Sequence, residues 1–140
     1  VLVKANNAAE NNQYFEMKVQ TATPEALIGM LYEGAIRFLK QAASEMNDMD
    51  WHKAHTHIVR AQNVVSELNV SLDKRKGGEL ADNLSKIYDY VNNRLIEANI
   101  KKDPNYVNEC IRLLGELNSA WCEVMKGAKS SSKAGMSLAG

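Results

Sequence analysis

The apolar positions of this chain fall into four runs at helical spacing, parted by short polar breaks. The first run begins at Pro24. Thr23 precedes it as an N-cap, with a hydroxyl able to accept from a backbone N–H of the first turn. Pro24 suits the first helical position, where its missing N–H costs nothing. Glu25 adds negative charge at the positive end of the helix dipole. The spacing predicts a helix from about Pro24 to Met46. Its polar positions Gly29, Glu33, Arg37, Lys40 and Ser44 share one narrow strip. Leu27, Ile28, Met30, Leu31, Tyr32, Ala35, Ile36, Phe38, Leu39 and Ala42 fill about two-thirds of the circumference, where one packing layer needs a stripe only ~100° wide. Another part of the chain, a second copy or a partner must cover the rest. With the core centre placed at Leu31 and Phe38, the outer line is Ile28, Tyr32, Ile36 and Leu39.

The second run predicts a helix from about Trp51 to Leu72, opened by Asp50 as N-cap. Its stripe is Ala54, Ile58, Ala61, Val65, Leu68 and Leu72. Asp73-Lys74-Arg75-Lys76-Gly77-Gly78 then breaks the pattern as a loop. The third helix spans about Glu79 to Asn99, with Leu80, Leu84, Ile87, Tyr88, Val91, Leu95 and Ala98 facing the core. Lys101-Lys102 closes it at the negative end of its dipole. Asp103-Pro104 repeats the N-cap and first-position proline signal. The fourth helix spans about Pro104 to Lys126, with Tyr106, Val107, Cys110, Leu113, Leu114, Leu117, Ala120, Trp121 and Val124 inward. Four helices of similar length with short turns predict an all-α, antiparallel up-down four-helix bundle over residues 23–126. Residues 1–22 are expected to form a mobile N-terminal arm with an apolar end at Tyr14, Phe15, Met17 and Val19. Residues 127–140 are expected to form a flexible C-terminal tail.

Composition narrows the function. The chain has 140 residues and no net charge, with 17 basic and 17 acidic residues. Nucleic acid and an anionic membrane surface both want a basic excess, so neither is expected as a partner. No run approaches the ~20 apolar residues of a membrane span. The N-terminus turns polar too soon for a signal peptide. Cys110 and Cys122 lie twelve residues apart on one helix, about 18 Å at ~1.5 Å per residue, beyond disulfide reach. They read as reduced thiols in a cytosolic protein.

Catalytic chemistry finds little footing. A carboxylate-bridged di-metal bundle needs Glu-x-x-His pairs, and the chain has none. His52, His55 and His57 crowd the start of one helix. Solvation explains them better than a zinc pair lacking further ligands. No basic residue is arranged to lower a thiol pKa. Gly77-Gly78 lacks the pattern of a phosphate loop. No enzyme activity, metal or cofactor is expected. Tyr90 lies outside the core arc of helix three, one turn before Arg94. Either Arg94 lies across its ring at the core edge, or the two meet a partner.

Thr21-Ala22-Thr23-Pro24-Glu25 with Leu27, Met30-Leu31-Tyr32 and Gly34-Ala35 resembles the opening helix of the FliS family, flagellar export chaperones for flagellin. The resemblance continues through Arg60-Ala61-Gln62, Glu67-Leu68, Ser71-Leu72-Asp73 and Gly77-Gly78-Glu79. It is strongest at Tyr88-Asp89-Tyr90, Arg94-Leu95 and Ala98-Asn99, and runs on through Leu113-Leu114, Leu117 and Ala120-Trp121. It covers about Tyr14 to Met125. Thr23 stands where the family commonly has serine, and Tyr14-Phe15 near the family's Tyr-Gln. The resemblance implies a cytoplasmic, non-catalytic chaperone for the C-terminal segment of flagellin. That segment would wrap the bundle in partly helical form, held from polymerising before flagellar type III secretion. Other flagellar export components are further partners on this reading. The N-terminal arm, through Tyr14, would cover part of the groove in the free protein. The expected partner site is Tyr14, Ile28, Tyr32, Ile36, Leu39, Tyr90 and Arg94, a helix-in-groove contact. The alternative is a self-associating bundle whose surplus apolar face is a homodimer interface.

Overall fold

A computed structural model of the chain describes residues 22–72 and 77–139, with side chains placed as far as Gly127. The described residues form four helices: α1 Pro24–Asn47, α2 Trp51–Val70, α3 Glu79–Lys101 and α4 Pro104–Ala139. The N-terminal signals act as their chemistry dictates. The Ala26 N–H donates to Thr23 Oγ1 at 3.1 Å, and the Lys53 N–H to Asp50 Oδ1 at 3.3 Å. At the head of α4 the Asn105 N–H donates to Asp103 Oδ1 at 2.9 Å. Each bond satisfies a backbone donor that a helix start would leave free.

The turns are tight. Met49, at φ 61°, reverses the chain between α1 and α2, and the Asp50 N–H returns to the Glu45 carbonyl at 2.8 Å. Gly78, at φ 53°, sets the entry to α3 in a region that favours a residue without Cβ. Lys102 ends α3 in the left-handed region at φ 52°.

The helices form a closed ring. α1 packs against α2 and α4, and α3 against the same two, more thinly. Neighbours run antiparallel, as the pairs Gln62–Asn92 and Asn69–Asp89 on α2 and α3 show. Alanines at the contact lines (Ala35, Ala42, Ala54, Ala61 and Ala98) let the backbones approach. Leu39, Ile58, Val65, Leu68, Val91, Leu95, Val107 and Leu114 fill the centre and are fully buried. Each such aliphatic chain contributes about 1.5–3 kcal/mol by leaving water. Tyr32 of α1 and Tyr88 of α3 meet across the ring, hydroxyl to hydroxyl at 2.5 Å. Burial pushes both phenols above their ordinary range.

Three expectations are corrected. On α1 the assignment of faces reverses for four residues: Tyr32 and Leu39 are core, while Leu31 and Phe38 are half-buried. The wide arc has two neighbours, so its middle faces the bundle axis and its flanks face α2 and α4. On α3, Leu80 is 66% exposed, and on α4 Val124 is 59% exposed, although both share the phase of core residues. Leu80 lies in the first turn of α3, and Val124 lies beyond Trp121, whose indole N–H donates to the Glu25 carbonyl at the very start of α1, so little of the neighbouring helices remains to cover either face. Finally, α4 does not stop near Lys126 but runs to Ala139. A helical glycine such as Gly127 costs only ~1 kcal/mol, too little to enforce a stop. The arm residues Tyr14, Phe15, Met17 and Val19 and the loop Lys74-Arg75-Lys76 lie outside the described residues.

The two cysteines differ. Cys110 is fully buried, its thiol directed at the Val91 carbonyl at 3.7 Å, and burial pushes its pKa up to about 12. Cys122 is exposed.

Candidate partner-binding groove

The seam between α3 and α4 carries both a polar cluster and an apolar groove. Tyr90 and Arg94 stand one turn apart on α3, so they share a face. Glu109 meets them from α4, beside the core position Cys110. The Tyr90 hydroxyl donates to Glu109 Oε1, and Arg94 donates to Oε2 through Nη2 at 2.8 Å and Nε at 3.2 Å. Both carboxylate oxygens are thus engaged. The Tyr90 hydroxyl and then Arg94 hold the Glu109 carboxyl below its ordinary range. The same bond to Glu109 raises the Tyr90 phenol. The Arg94 guanidinium also lies 4.2 Å from the Tyr106 ring centroid and 5.8 Å from that of Tyr90. Lys101 donates to the Tyr106 hydroxyl at 3.1 Å and pairs with Glu97 at 3.3 Å. The cluster ties the two helices together and fixes the Tyr90 ring.

Beside it opens a groove of about 290 Å³. Ile87 and Tyr90 of α3 form one wall, Leu113 and Leu117 of α4 the other, with Lys86 and Glu116 at the rim. The apolar residues recur at i, i+3 and i, i+4, so each helix offers a continuous edge. Tyr90 remains 46% exposed. An apolar trough with charged margins between two rigid helices is the geometry that receives an amphipathic helix.

The expected site residues divide between locations. Tyr90 and Arg94 stand together, with the Arg94 guanidinium over the tyrosine ring. Tyr32 and Leu39 are interior and present no surface. Ile28 and Ile36 are half-buried against the core. Ile36 is the one apolar side chain in a shallow depression of about 520 Å³, otherwise lined by Glu33, Arg37, Lys40, Gln41 and Asn118. Tyr14 lies outside the described residues.

Sequence reasoning misses Glu109, and it places Ile87, Leu113 and Leu117 wholly in the core. The available signal for Glu109 is its position next to a core cysteine, opposite a Tyr/Arg pair. His57 faces Glu45 across α1 and α2 and stacks on Phe38, away from His52 and His55. Among the described residues no group of three or more metal-ligating side chains converges. None of the described helices is long and apolar enough to cross a membrane.

Among the described residues an antiparallel bundle carries an apolar trough on one seam, a surface suited to an amphipathic helix. A family model described as flagellar protein FliS matches residues 5–128, and the chain belongs to the FliS family. It is similar to the flagellar secretion chaperone FliS of Bacillus subtilis, 32% identical over 116 residues, covering 83% of this chain and 86% of the relative. It is also similar to the flagellar secretion chaperone FliS of Salmonella typhimurium, 36% identical over 110 residues, covering 78% and 82%. A third relative, the flagellar secretion chaperone FliSB of Pseudomonas aeruginosa, is 36% identical over 106 residues, covering 76% and 84%.

Proposed function

We propose that this protein is a cytoplasmic export chaperone that holds the C-terminal segment of flagellin in the α3–α4 groove. Bound there, the segment is withheld from polymerisation and kept ready for flagellar type III secretion. The observation that carries the reading is the trough of Ile87, Tyr90, Leu113 and Leu117, open at the surface of a chain whose relatives are secretion chaperones. A segment that orders on binding gains apolar contact and loses chain entropy, so its affinity is the difference of two large terms.

Calorimetry with a peptide of the flagellin C-terminal segment tests this. The expected result is one peptide per chaperone, a negative heat-capacity change and a gain of helical circular dichroism. Leu117→Asp places a charge in the trough and should weaken binding at least about tenfold with helix content kept. No heat and no dichroism change at any temperature would sink the reading. If the peptide instead fails to dissociate a dimer seen by sedimentation, the groove serves a second copy of the chain.

A further inference from the structure

A second recess opens at the end of the bundle where α1 turns into α2 and α3 into α4. Its volume is about 190 Å³. The buried side chains of Ile58 and Ala98 lie at its floor, and Trp51 forms a wall. With Met46, Ala54, Ile58 and Ala98 beneath and Trp51 beside it, the recess is large enough to take one apolar side chain. The mouth is polar, with His55, Asn99 and Lys102 and no acidic residue.

Lys102 is the informative residue. Its neighbour Lys101 pairs with Glu97 at 3.3 Å, and Lys53 with Asp50 at 3.7 Å. Lys102 makes no ion pair among the described residues. Its ammonium rests 5.7 Å from the Trp51 ring centroid, at the edge of the recess. A left-handed backbone at φ 52° holds the residue there. An apolar hole beside an uncommitted cation matches a ligand with an apolar group and a carboxylate on adjoining atoms. The last residue of a polypeptide has both: its side chain can enter the hole while its terminal carboxylate meets Lys102, with the Asn99 amide as a second donor.

We propose that this recess anchors the C-terminal residue of a bound peptide, one with an apolar side chain. The inference rests on the reading that the client is a C-terminal segment, which ends in a free carboxylate. Ile87 in the groove and Lys102 stand fifteen residues apart on α3, about 22 Å at ~1.5 Å per residue. About seven extended residues at ~3.3 Å each bridge that distance. The client would thus fill the groove with one stretch and pin its end at the far tip of the bundle.

The test compares the flagellin C-terminal peptide as free acid and as C-terminal amide. The amide should bind about fivefold more weakly, the scale of one partly exposed charge contact. Lys102→Gly should erase the difference while keeping the fold, because glycine favours this backbone region. Lys102→Arg should retain it. The Trp51 indole N–H resonance should shift with the acid and much less with the amide. Equal binding of acid and amide to the wild type overturns the anchor. If Leu117→Asp still abolishes binding of both, the groove reading stands without it. If neither peptide binds the wild type, both readings fall.

Discussion

Helix α1 has the broader apolar face, yet helix α3 leaves more apolar surface in water. No large apolar side chain of α1 is exposed among the described residues, whereas α3 exposes Leu80, Tyr90, Ile96 and Ile100. Both helices have the same two neighbours. The difference is how far each is embraced: α1 packs extensively on α2 and α4, while α3 touches them along thinner lines. Apolar width therefore measures how many sides a helix buries. It does not reveal which surface is spare. The spare surface belongs to the helix with less cover, and there the groove lies.

The largest effects should come from the α1 core. Leu39→Ala removes a fully buried side chain and should cost about 2–5 kcal/mol in denaturant unfolding. Leu117→Ala, on the half-buried groove wall, should cost clearly less. Equal losses would erase the distinction between the two regions.

The Tyr32–Tyr88 pair comes next. Tyr32→Phe strands a buried hydroxyl and should cost about 1–3 kcal/mol. The double Tyr32→Phe/Tyr88→Phe variant removes both partners and should recover most of that loss. Both phenols titrate higher in the folded state than unfolded. Their contribution is complete below pH 10, the ordinary phenol value, and falls as pH rises beyond it. Alkaline unfolding should therefore start near pH 10, and the double variant should flatten that limb.

Ile36→Asp is the sharpest test of the comparison. Ile36 is half-buried against the core, so the variant should lose about 1–2 kcal/mol of stability. If it keeps full stability and loses the client instead, α1 does have a free apolar side.

The smallest effect should be Tyr90→Phe, which removes one donor from an exposed cluster. Glu109 titrates lower in the folded state, so its contribution is present above the ordinary carboxylate range and is lost as pH falls. The variant should be slightly less stable at neutral pH, and the gap should close in acid.

Much of the fold is legible in the sequence because its signals are local. Thr23, Asp50 and Asp103 each cap a helix with their own side chain, and α2 buries Ala54, Ile58, Ala61, Val65 and Leu68 on one stripe. The site is less legible because it depends on register between helices. Nothing in the periodicity of α3 says that Tyr90 and Arg94 stand opposite Glu109. Nothing in α1 alone says which of Leu31 and Tyr32 faces the axis, since both lie within one apolar arc. Leu80 and Val124 keep the phase of core residues past the point where neighbouring helices cover them.

The contrast between the two cysteines makes the native chain its own labelling scaffold. The Cys110 thiol is enclosed, with a pKa near 12, so it stays protonated and out of reach of a maleimide at neutral pH. Cys122 is open to reagent, five residues beyond Leu117 on the same helix. A single dye or spin label can be attached there with no cysteine removed. It would sit about 8 Å along α4 from Leu117, at ~1.5 Å per residue, but about 140° round the helix from it, so the probe leaves the groove unobstructed.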